Sequence, residues 1–254
     1  LKEQEDVLKK TSDKLKDAGG KMKDVGKDLS MKVTAPIVGF GTLAAKTAID
    51  FESAFAGVRK TVDATEEEFA ELEQGIRDMS QELPASATEI AGVAEAAGQL
   101  GISKEHIIEF TRTMIDLGEA TNLSAEEAAT EFARFANIVG MSQEDFDKLG
   151  SAVVGLGNNL ATTESEIVSM AMRIAGAGAQ VGLTEAEILS FSGALSSVGI
   201  EAEAGGSAFS KVMIDIANSV ANSDEKLSKF AEVAGMSAKD FAAAFEKDAS
   251  GAIM

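Results

Sequence analysis

The phrase GMSQEDF returns 95 residues later as GMSAKDF, and this repeat constrains the fold more than any other feature of the chain. In the first copy, Gly140 can adopt the left-handed conformation that ends a helix, and Ser142 can cap the next helix. Asp145 stands where a capping box places its acid, although that motif prefers Glu or Gln. Met141 and Phe146 have the spacing of a hydrophobic staple. The phrase therefore predicts a helix end, a turn and a new helix start.

The same rule applies at three more turns, each with a glycine, a cap and a staple pair. They are Gly101 and Ser103 with Ile102/Ile107, Gly182, Thr184 and Glu187 with Leu183/Ile188, and Gly235, Ser237 and Asp240 with Met236/Phe241. Related starts without the glycine are Thr65–Glu68, Ser86–Glu89, Ser124–Glu127 and Thr163–Glu166. Neither copy of the phrase carries convergent catalytic groups, so helix punctuation is favoured over a duplicated ligand site.

Between these stops the apolar spacing predicts an all-α chain, built as a bundle of short capped helical hairpins. The predicted helices cover 37–60, 65–82, 86–99, 103–119, 124–139, 142–156, 163–180, 184–198, 206–221, 223–234 and 237–248. No stretch alternates apolar and polar residues over enough positions to predict a strand. Trp and Tyr are absent, and the small side chains that remain suit closely packed helices better than a sheet.

The first 33 residues form a separate predicted unit, before a helical region at 34–254. Leu1, Leu8, Leu15, Met22 and Leu29 are seven apart, which is typical of an amphipathic or coiled-coil helix, interrupted or bent at Gly19-Gly20. Self-association, the end of a longer rod and a single helix lying on the body all remain open. Because Leu1 replaces an initiator Met, we expect a piece of a longer chain.

Charged residues are distributed unevenly along the chain. Residues 1–32 hold nine Lys and seven acidic residues, and the remainder holds 23 − 9 = 14 basic and 42 − 7 = 35 acidic residues. A body with a net charge of −21 repels phosphate, so stable nucleic-acid binding is not expected.

The sequence contains few candidate catalytic residues. The chain has no Cys and one His, His106, and no nucleophile pattern accompanies that histidine. The glycine clusters GAGAQVG (176–182) and EAEAGGSAF (201–209) match no nucleotide-binding motif; a close helix approach or a cap is the favoured interpretation, and a flexible point at 173–180 is the alternative. We predict no catalytic, cofactor-binding or metal-binding residues, and no enzyme.

Three segments carry a family resemblance. The stretch from Ala48 to Ile102 contains an FE pair (Phe51, Glu52), a VRK triplet (58–60) and an ELPASATEI turn. LGEATNLSAEEAATEFARFANIVGMS (117–142) and GIEAEAGGSAFSKVM (199–213) follow in order, the latter with Gly206-Ser207 where Gly-Thr is usual. In their order and spacing these segments resemble the phage tail tape measure protein family over residues 34–220.

The resemblance implies a structural role in the tail of a phage or prophage-derived particle. Such proteins occupy the tail tube, set its length, support assembly and leave ahead of the genome at ejection. It implies several copies, contacts with tube, tip or baseplate proteins and with assembly chaperones, and membrane contact only during ejection. It implies no cofactor, assembly in the host cytoplasm and a final location in the virion. Because short capped helices describe a compact bundle, we expect a folded module rather than the extended ruler.

Two rival classes remain. A generic helical scaffold, such as a secreted effector, would share the caps and the acidity. A membrane-perturbing protein could use the uncharged run ILSFSGALSSVGI (188–200), although 13 residues are too few to span a bilayer and fit a buried helix better.

Overall fold

The computed structural model describes the backbone of residues 35–254 and the side chains from Lys46 onward. That part of the chain forms twelve α-helices and no strand, so the all-α prediction is confirmed. The helices are α1 Ala35–Thr61, α2 Glu66–Glu82, α3 Ala87–Gln99, α4 Ile107–Ala120, α5 Ala125–Val139, α6 Phe146–Asn159, α7 Glu164–Gln180, α8 Glu185–Ser197, α9 Ser207–Asn222, α10 Glu225–Val233, α11 Ala238–Lys247 and α12 Ala249–Ile253. A 3-10 turn, Gln143–Asp145, precedes α6, and a π-helical turn, Ala202–Gly206, precedes α9.

The helices of the unit Ala54–Met254 stack as hairpins in two layers; residues up to Ser53, including the first part of α1, belong to a separate unit. Within the stack, α2 contacts α4, α4 contacts α6 and α6 contacts α8, which makes one layer. The second layer is α3, α5, α7 and α9, again with each helix contacting the next. Most consecutive helices also contact each other across the layers. Helices α10 to α12 follow in series, each against the next.

The core lies between the two layers and is built from aliphatic side chains, phenylalanines and methionines. Phe110 of α4 meets Phe146 of α6 edge to face, with ring centroids 4.6 Å apart. The largest side chains with almost no exposure are Ile76, Met79, Ile90, Ile107, Phe110, Met114, Phe132, Ile167, Met170, Ile174, Ile188 and Met213. They come from both layers, so the apolar faces of the amphipathic helices bury each other.

Five predicted capping boxes form completely, those that begin at Thr65, Ser86, Ser124, Thr163 and Thr184. In each, the cap N–H donates to the glutamate carboxylate at 2.8–3.0 Å, and the glutamate N–H donates back to the cap hydroxyl at 3.2–3.4 Å. These pairs satisfy N–H groups that a helix start otherwise leaves free.

Neither copy of the repeated phrase forms a complete capping box, because both carry Asp where the complete boxes carry Glu. Ser142 accepts the Glu144 N–H at 3.4 Å and caps only the 3-10 turn, while Asp145 pairs with the Lys148 side chain. In the second copy the Asp240 carboxylate accepts the Ser237 hydroxyl at 2.7 Å instead of a backbone N–H. Aspartate is one methylene shorter, so the predicted reciprocal bond does not form.

The four glycines predicted to end helices all have positive φ, from 68° at Gly235 to 85° at Gly101, so these chain reversals are confirmed. The hydrophobic staples are only partly buried. Ile102 and Leu183 are 6% exposed, whereas Met236 is 46% exposed.

The predicted helix start at Ser103 is wrong, because α4 begins at Ile107 with His106 at its N-cap position and no side-chain cap. The Ser103 N–H donates instead to the side-chain carbonyl of Gln143 at 2.9 Å, and the Gln143 amide donates to the Gly101 carbonyl at 3.1 Å. A residue 40 positions away thus binds this turn. The π-helical turn before α9 and the short helix α12 were not predicted.

Glycines permit close approaches that the sequence had indicated. At Gly178 in α7, an added Cβ would lie 2.9 Å from a side-chain carbon of Ile188 in α8. At Gly206, an added Cβ would lie 2.6 Å from Cβ of Arg173. Both glycine clusters therefore contain close helix contacts, as predicted, and Gly182 ends α7 with a φ of 83°.

The predicted boundary at residues 33 and 34 and the predicted coiled-coil segment 1–33 lie outside the described residues and stay predictions. The uncharged run 188–200, for which a buried helix was favoured, lies in α8 as far as Ser197, and Ile188, Leu189 and Ser192 are buried there. Its last apolar residues, Val198 and Ile200, follow the helix and are exposed.

Two glycines of α7 give a matched test of this packing. We expect Gly178→Ala to destabilise the fold by about 1–3 kcal/mol, because the fully buried Ile188 must move. Gly176→Ala meets no atom within 4 Å and should stabilise α7 by about 0.5–1 kcal/mol. Urea unfolding followed by far-UV circular dichroism measures both, and equal effects of the two substitutions would contradict the close contact.

Candidate functional site

Four loops meet at one end of the hairpin stack: 83–86, 121–124, 160–163 and 198–206. We call this surface the loop face. Pro84 and Ala85 line a groove of about 340 Å³ together with Ser124 and Ala125. The Asn122 side chain donates to the Ser165 hydroxyl at 2.8 Å and accepts the Ser165 N–H at 3.1 Å. The side-chain hydroxyls of Thr162 and Ser196 are in hydrogen-bond contact. These contacts connect the loops into one continuous surface.

The second-layer helices α3, α5 and α7 all begin on the loop face, each with a capping box. Backbone N–H bonds from Ser86, Ser124 and Thr163 are the largest cause that lowers the pKa of Glu89, Glu127 and Glu166 below the ordinary value of 4.5. The cap hydroxyls add to the shift. These carboxylates are therefore held ionised and already bonded to their own helix starts.

Three apolar residues in the loops of this face are exposed: Leu160, Val198 and Ile200, at 37%, 72% and 39%. Leu160 reaches α8, since its Cδ1 is 2.8 Å from the position of a Cβ added at Gly193. Ile200 packs on the π-helical turn, where its Cγ2 lies 1.9 Å from a Cβ added at Gly205. These three residues are the exposed large apolar side chains in the loops of this face.

Catalytic geometry is not found in the described part of the chain. His106 is half-buried at the start of α4 and makes no side-chain cap bond. Among the described residues, no group of three or more His, Asp or Glu could hold a metal ion, and no helix is long and apolar enough to cross a membrane. The predicted lack of site residues is untested by these observations and stays a prediction.

Arg59 of the VRK triplet connects two consecutive helices. This guanidinium lies over the Phe69 ring at 4.7 Å and the Phe55 ring at 5.6 Å, and it donates to both oxygens of Glu66 at 2.9 Å. It thereby fastens the end of α1 to the start of α2.

Sequence reasoning missed side-chain amides that connect neighbouring hairpins, among them Gln143 and Asn122. Each makes two bonds to a segment about 40 residues away. No local pattern distinguishes such a residue from any other polar loop residue, so only the packed structure reveals its role.

Comparison with known proteins agrees with the structural character of these surfaces. A family model described as phage-related minor tail protein matches residues 73–254. The probable tape measure protein of Halomonas phage phiHAP-1 is 24% identical over 193 residues, which is 71% of this chain and 22% of that protein. The chain thus spans about a fifth of the length of this relative. No solved structure matches the chain.

The capping carboxylates predict a specific acid sensitivity. A carboxyl whose pKa is lowered by folding contributes stability above its unfolded pKa, and this contribution is lost as pH falls through the folded value. The triple variant Glu89→Gln/Glu127→Gln/Glu166→Gln should therefore lose less stability than the wild type as pH falls below about 4.5. Thermal midpoints between pH 7 and pH 3 measure the difference. Glu67→Gln/Glu126→Gln/Glu185→Gln removes the same charge without touching a capping box, and a decline as shallow as that of the triple box variant would contradict the assignment.

Proposed function

Because the chain belongs to the phage-related minor tail protein family, we propose that it is a folded structural module of a tape-measure-type tail protein. In this role it occupies the tail tube or tip of the virion, in several copies, and supports tail assembly and genome delivery. It contacts tube, tip or baseplate proteins and, before them, assembly chaperones. The module performs no catalysis, and longer parts of the full protein set the tail length.

The proposal that this module makes contacts while other parts set the tail length is supported by one observation. The residues that match the family fold into a stack of hairpins instead of a rod. A continuous helix of the 201 residues from Ala54 to Met254 would extend about 300 Å at about 1.5 Å per residue. The longest helices inside this unit, α2 and α7, have 17 residues each, which corresponds to about 25 Å. A segment folded this way adds little length per residue and suits a contact role.

The net negative charge of the compact unit suits a module that DNA must pass without binding. The segment 33–53 holds one Lys and two acidic residues, so the compact unit has 14 − 1 = 13 basic and 35 − 2 = 33 acidic residues. Its net charge of −20 repels the DNA backbone, which lowers the chance that DNA adheres as it leaves the tail.

The compact state can be tested inside assembled tails, because the chain has no native Cys. The hydroxyls of Thr162 and Ser196 are in contact, so Thr162→Cys/Ser196→Cys should form an intramolecular disulfide when purified tails are oxidised. In an extended helix these positions would be about 50 Å apart and could not be joined. The control pair Thr162→Cys/Ser190→Cys places the second thiol about 9 Å back along α8. Non-reducing gels and peptide mass spectrometry report the bond; no bond in the first pair would overturn the folded module.

Tail length gives a second, independent prediction. In a phage whose tail protein contains this chain, in-frame deletion of residues 54–254 should either abolish tails or shorten them by far less than about 300 Å. Electron microscopy measures the length. Deletion of an equal number of residues from a helical rod segment of the same protein is the control and should shorten tails by about 1.5 Å per residue. Equal shortening in both variants would identify 54–254 as part of the ruler.

A further inference from the structure

A groove of about 450 Å³ runs between α4 and α6, which are neighbouring helices of the first layer. Its most enclosed lining residues are the buried Leu117 and Gly150 and the half-buried Val154. Ala120 and Gly155, both exposed, line its open side. The groove therefore joins two helices in one continuous surface of apolar and small residues.

Gly155 is the lining residue that contacts within the fold do not explain. Helix α6 contains three glycines, although glycine is unfavourable in a helix interior. A Cβ added at Gly150 would lie 3.3 Å from Cδ1 of Leu117, and one added at Gly157 would overlap a glutamate side chain of α7. These two glycines thus permit close contacts within the chain. A Cβ added at Gly155 would meet no atom within 4 Å, so this glycine leaves room for a group from outside the described chain.

The walls of the groove suit a helix better than an extended segment. They are formed by turns of two α-helices, whose backbone N–H and C=O groups are bonded within each helix. An extended segment would bury its own backbone groups there without partners, whereas a helix bonds its backbone internally. Small residues such as Ala120 and Gly155 let a third helix approach closely, with its side-chain ridges in the groove.

Two unpaired carboxylates give the groove a charge preference. Asp116 of α4 and Asp147 of α6 are exposed lining residues. Neither forms an ion pair with a Lys or Arg within residues 46–254, and Lys148 pairs with Asp145. An occupant with cations beside its apolar stripe is attracted by both carboxylates. The compact unit of a second copy is opposed by its own net charge of −20.

We propose that the groove between α4 and α6 binds an amphipathic helix of a different tail protein, one whose apolar stripe is flanked by Lys or Arg. The inference rests on the proposed function and deepens it, because it assigns the contact with another tail protein to one surface and one kind of partner. Apolar side chains of the stripe pack on Leu117 and Val154, and the helix passes over Gly155. Its cations approach Asp116 and Asp147.

A matched pair of glycine substitutions tests the groove. Gly155→Leu and Gly176→Leu each add a side chain at an exposed helical glycine without neighbours within 4 Å, but Gly176 belongs to α7 and does not line the groove. The probe is a synthetic helical peptide of Leu and Ala flanked by Lys, with 14 residues as in α4 and α6. Fluorescence anisotropy measures its binding to the purified 254-residue chain. We expect Gly155→Leu to raise the dissociation constant at least about tenfold and Gly176→Leu to leave it unchanged.

Circular dichroism verifies that both variants are folded. Absence of binding to the wild type, or equal effects of the two substitutions, overturns the proposal.

Charge substitutions test the two carboxylates. Asp116→Asn/Asp147→Asn should weaken binding of the Lys-flanked peptide and reduce its dependence on ionic strength. Glu225→Gln/Glu232→Gln removes the same charge from exposed positions of α10 and should change neither property. Equal effects of the two double variants, or equal binding of a peptide flanked by Glu, contradict the charge preference and overturn the proposal.

Cross-linking in assembled tails identifies the occupant. In a phage whose tail protein contains this chain, a photo-cross-linking amino acid replaces Ser151, which lines the groove. Mass spectrometry should find a cross-linked peptide of a different tail protein, with apolar residues at helical spacing and Lys or Arg beside them. A cross-link to this chain or to a second copy, or none at all, overturns the proposal. The disulfide between positions 162 and 196 does not depend on the groove, so it tests the folded tail module separately.

Discussion

The hairpin stack depends on how the first N–H groups of each helix find acceptors inside a loop of a few residues. At five starts a glutamate turns back to its own cap, so the helix satisfies its N–H groups without help from elsewhere. Where aspartate replaces glutamate, at Asp145 and Asp240, the box stays open and a neighbouring side chain takes the carboxylate. At Asp145 the helix start becomes a 3-10 turn, whereas at Asp240 the Ser237 hydroxyl still accepts the Asp240 N–H and only the reciprocal bond is missing.

Small side chains then decide how closely the capped helices approach. Gly57 lies where any Cβ would overlap the Glu95 carboxylate of α3, and Gly178 lies directly against Ile188. A chain with no Trp or Tyr fills its core with Ile, Leu, Val, Ala, Phe and Met, and interiors packed at crystal-like density tolerate little added volume.

The loop face carries both capping carboxylates and exposed apolar side chains. Its helix starts are held by internal carboxylates, so those charges are fixed by local geometry. Val198 and Ile200 remain exposed on this face after the stack has formed. Surfaces that the fold does not need are the ones available for contact with other chains.

The sequence by itself determined the helix boundaries set by local chemistry. The boxes at Ser86 and Ser124 and the left-handed turn at Gly140 lie where the pattern predicted them, because each needs only residues a few positions apart. The order of segments also indicated the family. Tertiary structure alone decided the start of α4, since Gln143 takes the Ser103 N–H from 40 residues away, and the π-helical turn, which fits Gly206 against α7. It also created the loop face, because contacts such as Asn122 with Ser165 exist only after the hairpins have stacked. Local hydrogen bonds can be read from spacing, whereas contacts between distant residues depend on a packing that no short window contains.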